Sequence, residues 1–284
     1  MFNYYLFLLD YFFSLNNLCI SLFYNFFYYF KKSNTSKLLT TSYIHCIMNG
    51  SSLNENVYEL NKLNRHNHKF AVSNFFLNSN LYEILKPDYY FLSDPLFFKS
   101  NNTLINSFYK KMFNDTKWPL TLIIDAKHFN FSELNILKKN NNITLYTYKY
   151  IPLHFGNFKF NKFLFNNFNS SPLFQNVLVS MLTFFVKNDN KNIFIWGANH
   201  DWFLNYKLDR NNKLFLIDHH FYETNNNLIT LQENNNNLFY QFRNLSFLHY
   251  SYSFLAYISK SKKITIINMN ENSWIDSFEK FQFR

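Results

Sequence analysis

The sequence predicts an α/β protein built on a largely parallel β-sheet with helices on both faces. Short apolar runs alternate along the chain with helix-like stretches, which is the order that produces parallel strands joined by crossover helices. Polar residues follow several of these runs. Because ligands of open parallel sheets bind beyond the carboxyl ends of the strands, this pattern also predicts where a binding site would lie.

The predicted elements run from residue 43 to near the end of the chain. Seven runs are predicted to be strands: residues 43–48, 69–73, 88–93, 121–125, 143–148, 193–196 and 264–268. Three stretches are predicted to be helices: residues 54–64, 177–186 and 247–260. The length of 284 residues then fits one domain, residues 41–284, preceded by a hydrophobic segment and linker, residues 1–40.

The composition favours a folded protein, since hydrophobic residues make up 48% of the chain. Aromatic residues reach 22% and only 3 glycines occur, an imbalance that is typical of an AT-rich genome. The two cysteines, Cys19 and Cys46, cannot form a disulfide framework or a four-cysteine metal site. A reducing cytosol is therefore the simplest compartment.

The first 30 residues are mostly Phe, Leu and Tyr, and Lys31 and Lys32 follow them. A signal peptide is not expected, because a basic start and a small-residue cleavage site are missing. Asp10 and several asparagines interrupt the apolar run, which makes a spanning helix a poor interpretation. Two interpretations stay open. The segment is an aromatic helix in the membrane interface, which would make the protein peripheral on the inner face, or it packs on the domain or on a second copy of the chain.

Polar residues and glycines stand at the ends of the predicted strands: Asn49, Gly50, Asn74, Asp94, Gly197, His200 and Asn268. After the first strand, Gly50 would let the backbone approach a ligand closely, and the helix that follows would favour an anion. The alternative for Ser51 and Ser52 is a simple helix cap.

Histidines are the candidate proton acceptors near neutral pH. His200 follows the strand at 193–196, and His219 and His220 stand in the sequence LIDHHFYE with Tyr222. Neither a Walker loop, nor a GxSxG nucleophile elbow, nor a zinc-like spacing of His, Cys, Asp and Glu occurs in the chain.

Six short motifs follow one another between residues 43 and 284. They are MNGSSL (48–53), AVSNFF (71–76), FLSDPLFF (91–98), SSPLFQNVLVSML (170–182), NIFIWGANHDW (192–202) and ITIINMNENSWIDSF (264–278). In this order they resemble the bacterial sialyltransferase-like glycosyltransferases, including relatives encoded with capsule and lipopolysaccharide genes. The first motif is similar to the family's Gly-Asn-Gly-Pro-Ser-Leu loop, with Ser51 where proline is usual.

The resemblance implies a Rossmann-like domain with a small lid, here residues 202–237, and a metal-independent transfer with no cofactor. The implied donor is a nucleotide-sugar, a CMP-linked one, and the implied acceptor is a glycan or glycolipid of the cell surface. The lid would supply His220 as general base and Tyr222 as a partner of the phosphate. His219 and His200 are the rival candidates for the base. The residues implied to hold the nucleotide are Asn49, Gly50, Ser51, Ser52, Asn74, Asp94, Ser171 and Gly197.

The alternative is a nucleic-acid-binding structural protein, such as an organellar ribosomal protein. The net charge of +10 supports it, because phosphate contacts dominate such binding. Against it, the polar residues gather at strand ends rather than along a basic stripe. We therefore expect a nucleotide-sugar, a glycan acceptor and a membrane surface as partners rather than nucleic acid, and a homo-oligomer stays open.

Overall fold

The computed structural model of the protein describes residues 2–28, 43–100, 102–218, 227–230 and 237–282. Its strands are β1 (Tyr43–Ile47), β2 (His68–Ser73), β3 (Tyr89–Leu92), β4 (Leu120–Asp125), β5 (Ile143–Tyr148), β6 (Ile151–Leu153), β7 (Ser170–Pro172), β8 (Asn192–Trp196), β9 (Tyr206–Leu208), β10 (Leu214–Asp218), β11 (Asn227–Thr230), β12 (Thr265–Asn268) and β13 (Glu279–Lys280). Its α-helices are α1 (Phe2–Tyr28), α2 (Leu53–Lys62), α3 (Leu81–Leu85), α4 (Thr103–Asp115), α5 (Leu134–Leu137), α6 (Phe158–Asn167), α7 (Val177–Lys187) and α8 (Leu238–Lys262). Short 3-10 helices cover Asn74–Asn78, Pro95–Phe98, Ala126–His128 and Trp202–Asn205.

Eight strands form one sheet in the order β13-β12-β8-β1-β2-β3-β4-β5, and every neighbouring pair in it is parallel. This confirms the predicted α/β class, and the large parallel sheet flanked by helices agrees with a Rossmann-like fold. Each of the seven predicted strands is present with its ends within one residue of the prediction. The sequence did not reveal β13, a two-residue strand at the edge of the sheet.

Separate apolar cores cover the two faces of the sheet. Side chains alternate along each strand, so that Ile44 and Cys46 of β1 enter one core and Ile47 enters the other. Helices α6, α7 and α8 pack on the first core, and α2, α3, α4 and α5 pack on the second. Helix α7 is buried along residues 177–186, which explains why Ser180 and Thr183 are the only polar residues in that stretch.

The order of the strands reverses at β1. From β1 the chain adds β2, β3, β4 and β5 on one side, and later β8 and β12 on the other. The carboxyl ends of β1 and β8 therefore flank the crevice where such sheets bind ligands.

Helix α8 is longer than the helix predicted at residues 247–260. It begins at Leu238 because Asn237 caps it, accepting a hydrogen bond from the backbone amide of Tyr240 at 3.1 Å. The last asparagine of the run 234–237 thus has a structural role as the cap of α8.

Helix α1 packs on the domain through its middle. The Asn17 side chain donates to the backbone oxygens of His154 and Phe155, and accepts from the amide of His154 at 3.0 Å. The hydroxyl of Ser14 accepts from the amide of Asn157 at 2.9 Å. Among the described residues, no helix combines the length and apolar character that a membrane-spanning segment requires.

The segment predicted to be a lid, residues 202–237, is described only in part. Its described residues form a 3-10 helix and then a separate antiparallel sheet in the order β11-β10-β9. His219, His220 and Tyr222 lie outside the described residues. Closure of this segment over a donor stays a prediction.

Candidate functional site

A pocket of about 200 Å³ opens at the carboxyl edge of the sheet, where β1, β2 and β8 end. It lies at the point where the strand order reverses, which is the expected ligand position in this fold class. It brings together five residues predicted from the sequence: Asn49, Gly50, Asn74, Gly197 and His200.

Two glycines hold the loops after β1 and β8 against each other. The Gly50 amide donates to the Gly197 carbonyl oxygen at 2.8 Å, and a Cβ on Gly50 would lie 2.4 Å from that oxygen. Gly197 has a φ of +63°, and a Cβ there would lie 2.6 Å from the Met48 carbonyl oxygen. We expected Gly50 to admit a ligand. The atoms nearest to Gly50 belong instead to the loop after β8, so both glycines shape the wall of the pocket.

Ser52 helps to fix the same two loops rather than capping α2. Its side chain makes no cap hydrogen bond. The Ser52 hydroxyl donates to Asn199 Oδ1 at 2.5 Å and accepts from Asn270 Nδ2 at 2.8 Å. Ser51 joins this network, since its hydroxyl accepts from Asn199 Nδ2 at 3.2 Å. The two serines thus link the ends of β1, β8 and β12.

The first turn of α2 uses its amides within the protein. The Leu53 amide donates to the Gly50 carbonyl oxygen, the Asn54 amide to that of Ser51, and the Ser52 amide to Asn199 Oδ1. These three amides are therefore not available to a phosphate, although a helix N-terminus was expected to favour one.

Four buried polar atoms around the pocket lack a protein partner. They are Asn49 Oδ1, Ser73 Oγ, Asn74 Oδ1 and His200 Nδ1. Within the described part of the chain, only three other buried side-chain atoms are in this state, on Thr183, Ser259 and Asn268. Each buried polar atom without a partner typically costs about 1–3 kcal/mol. Their concentration around one pocket makes it the candidate site, where ordered water or a ligand would complete their hydrogen bonds.

Two of these residues also have an unusual backbone conformation. Asn74 has a φ of 51° and His200 a φ of 56°, in the left-handed region that disfavours residues other than glycine. Strained residues of this kind gather at functional sites. The strain directs both side chains from the ends of β2 and β8 into one pocket.

His200 is buried and neutral. Burial, with a smaller effect of His249, lowers its pKa to about 3. Asn176 Oδ1 accepts from the Val179 amide, so its Nδ2 faces His200 Nε2 at 3.4 Å, and the Tyr252 hydroxyl lies 3.2 Å from the same nitrogen. Nε2 is then the acceptor and Nδ1 carries the proton. His200 is thus placed to donate a hydrogen bond and is a weak proton acceptor at neutral pH.

A second histidine is held neutral by the sheet. His45 of β1 accepts from the Trp196 indole nitrogen through Nδ1 at 3.0 Å, and its Nε2 lies 2.7 Å from His68 Nδ1. Burial, then the nearby His68 and Arg65, lowers the pKa of His45 to about 3.

We expect acid to destabilise the fold through these two histidines. Their folded pKa values are lowered, so their contribution is present above about pH 6.5 and is lost as the pH falls towards about 3. When the pH is lowered from about 7.5 to about 5.5, each of the two histidines should decrease the free energy of unfolding by about 1.4 kcal/mol. Urea unfolding at the two pH values measures this loss, and replacing His45 by asparagine should remove about half of it. Equal stability at both values would contradict the prediction.

The structure does not bring every predicted residue to the pocket. Asp94 is exposed and caps the 3-10 helix Pro95–Phe98 by accepting from the Leu96 amide at 2.8 Å. Ser171 is buried in β7, which pairs with β6 apart from the main sheet. Neither lines the pocket. Asn268 is buried behind it and accepts from the Asn270 amide at 3.1 Å.

Four side chains of the site were not predicted from the sequence, among them Ser73, whose hydroxyl is buried beside the pocket. Asn176 and Tyr252 position His200, and Asn199 joins the loops. A signal was available for Asn176, because an asparagine directly before the apolar run at 177–186 is a typical helix cap. Tyr252 gave none, since it stands in the middle of a helix among many other tyrosines.

The described lining of the pocket contains Asp201 but neither lysine nor arginine. Within the described residues, no group of three or more His, Cys, Asp or Glu side chains is arranged to hold a metal ion. The pocket therefore offers hydrogen-bonding groups rather than positive charge.

These observations define an α/β protein with a polar pocket at the switch point of a parallel sheet. Comparisons with protein-family models, with curated proteins and with solved structures found no match for this chain.

Proposed function

We propose that the protein is a glycosyltransferase that moves a sialic-acid-like sugar from a CMP-linked donor to a cell-surface glycan. The observation that supports this most is the set of four buried polar atoms without protein partners around one pocket at the switch point. A nucleoside carries both hydrogen-bond donors and acceptors, which is the chemistry that these four atoms require. The choice of a CMP-linked sugar comes from the resemblance of the six motifs.

The size and chemistry of the pocket fit the nucleoside part of such a donor. At about 200 Å³ it is smaller than the usual range of about 300–1,000 Å³ for ligand pockets, so it would enclose one part of the donor. The side-chain amide oxygens of Asn49 and Asn74 would accept hydrogen bonds from the amino group of the base or the hydroxyls of the ribose. His200 Nδ1–H would donate to a carbonyl oxygen of the base.

The transfer itself would take place outside this pocket, under the segment at 202–237. The acceptor hydroxyl attacks the anomeric carbon of the donor, the bond from that carbon to the phosphate oxygen breaks, and the hydroxyl proton passes to a base. We propose His220 as the base and Tyr222 as a hydrogen-bond donor to the phosphate, on the resemblance. The lowered pKa of His200 favours a binding role for this residue.

We place the reaction at the inner face of the membrane, with a glycan or glycolipid as acceptor. The motif resemblance supports the acceptor class. The aromatic helix α1 supports the location, since it packs on the domain and carries exposed aromatic side chains.

A thermal-shift screen tests the proposed donor. The full-length protein is melted with CMP, UDP, GDP and their sugars, and a ligand at about 100 times its Kd should stabilise the fold by about 2.7 kcal/mol. Stabilisation by CMP and CMP-sugars supports the proposal. Stabilisation by a different nucleotide alone would show that the donor carries that nucleotide instead of CMP. No response to any of them would show that the pocket is not a nucleotide site.

We expect replacement of Asn74 by glycine to separate binding from stability. The change removes a buried oxygen without a partner and relieves the φ of 51°, so the free energy of unfolding should rise by about 1 kcal/mol. Nucleotide affinity should fall about tenfold because one acceptor is lost. Urea unfolding and calorimetric titration measure the two effects.

Asn212 supplies the matched control, since it has a φ of 58° and is exposed away from the pocket. Its replacement by glycine relieves the same strain and should leave nucleotide affinity unchanged. Equal nucleotide affinity in the two variants would show that Asn74 does not bind the nucleotide.

A further inference from the structure

Helix α1 presents a row of polar side chains to the domain, beside Phe13 and Leu18, and exposes five large apolar side chains together with Asn16 to solvent. Ser14, Asn17 and Ser21 are almost completely buried. The Asn17 amide group donates to Asn161 Oδ1 at 3.1 Å, and the Ser21 hydroxyl lies 3.3 Å from that of Ser170. A surface helix of a soluble protein normally has the reverse arrangement, with its apolar side inward.

The outer side of α1 carries large apolar residues that are between 51% and 66% exposed: Tyr11, Phe12, Leu15, Leu22 and Phe23. With 3.6 residues per turn, residues 11, 15 and 22 form one strip along the helix and residues 12, 19 and 23 form the adjoining one. The exposed Cys19 therefore stands within this face. We call these six residues the outer face of α1.

An apolar groove of about 830 Å³ adjoins this face between α1, α6 and α8. Tyr11 and Leu15 belong to both the face and the groove, and Phe158, Phe163 and Tyr257 line the rest. Phe163 is half exposed, which extends the apolar surface onto α6.

Positive charge borders the groove. Lys159 lines it and is exposed, and Lys162 Nζ lies 5.8 Å from the ring centroid of Tyr257. The chain as a whole carries a net charge of +10. The complementary partner is therefore apolar in its interior and negatively charged at its surface, which are the properties of an anionic phospholipid bilayer.

We propose that the outer face of α1 and the groove form one docking surface for an anionic phospholipid bilayer. The helix lies in the plane of the headgroups, an acyl chain occupies the groove, and the lipid phosphate lies beside Lys159. This rests on the proposed location at the membrane and is independent of the proposed transferase chemistry.

The position of Cys19 allows a direct test with the full chain. Cys46 is fully buried, so a polarity-sensitive fluorophore attaches at Cys19. We expect a blue shift of its emission with vesicles of phosphatidylcholine and phosphatidylglycerol, and a much weaker one with phosphatidylcholine alone. Equal response to both vesicles, or none, would overturn the proposal. A shift that follows protein concentration without lipid would also overturn it, because the face would then be a contact between two copies.

Variants locate the surface by co-sedimentation of the unlabelled protein with the mixed vesicles. Phe12→Ser and Lys159→Glu should each weaken binding about tenfold or more, since the first removes buried apolar area and the second reverses a charge at the phosphate. Tyr58→Ser is the control, because Tyr58 is 69% exposed on α2, over the other face of the sheet. Vesicle binding by Phe12→Ser at the level of the wild type would refute the docking surface.

The same variants keep this proposal separate from the proposed transferase. Phe12 and Lys159 lie outside the pocket, so both variants should keep the stabilisation by nucleotide that we expect of the wild-type protein. Loss of vesicle binding with nucleotide binding intact supports the docking surface. Absence of any nucleotide response in the wild type would count against the transferase alone.

Discussion

Replacement of Gly50 by valine should abolish nucleotide binding and lower the free energy of unfolding by about 3 kcal/mol. A Cβ at this position would lie 2.4 Å from the Gly197 carbonyl oxygen and 2.7 Å from Asn199 Oδ1. The first of these atoms is backbone, so the clash is relieved only if the loops after β1 and β8 separate. That movement would open the wall of the pocket and break the hydrogen bond between Gly50 and Gly197.

Ser51→Val is the matched control, because it introduces the same side chain at the next position. Ser51 is exposed and loses only a hydrogen bond from Asn199 Nδ2. We expect nearly normal stability and nucleotide affinity, measured by urea unfolding and titration calorimetry. A Gly50→Val protein that is as stable as the wild type and binds nucleotide equally well would show that the two loops are not joined as described.

Replacement of His220 by alanine should lower turnover by about 10²–10⁴, which is the usual cost of losing a general base. Donor affinity should stay nearly the same, because the pocket at the strand ends is untouched. Transfer from a labelled CMP-sugar measures turnover, and calorimetry measures donor affinity.

His219 and His200 are the two comparisons for this variant. His219→Ala should keep turnover, whereas His200→Ala should weaken donor binding through the loss of the Nδ1 donor. Full activity in His220→Ala would exclude this residue as the base. Loss of activity in EDTA would contradict a metal-independent transfer.

The fold could be predicted from the sequence because its signals are local. The run at residues 193–196 is apolar and ends at a glycine, and α7 is an apolar stretch directly after a capping asparagine. Five of the twelve residues that line the pocket could be predicted for the same reason. Parallel strands end at one edge, so Asn49, Asn74 and His200 were expected to meet.

The features that could not be predicted from the sequence depend on contacts between distant parts of the chain. Ser14, Asn17 and Ser21 look like interruptions in an apolar run. Only the positions of the loop at 154–157 and of Ser170 show that they face the domain. Asp94 looks like a site residue because it follows a strand, yet its carboxylate is used locally by the Leu96 amide. The contact between Gly50 and Gly197 has no trace in either local sequence.

The central position of β1 has a consequence for synthesis of the chain. Strand β1 pairs on one side with β2, which follows at once, and on the other side with β8. Ser52 and Asn199, which close the pocket, are 147 residues apart. One edge of β1 therefore stays unpaired until β8 has been synthesised, and more than half of the chain leaves the ribosome in that time. An unpaired, apolar strand edge can pair with other chains and promote aggregation. A nascent chain that stops before residue 192 would lack the pocket and expose that edge, so we expect chaperone dependence to end only once β8 has emerged.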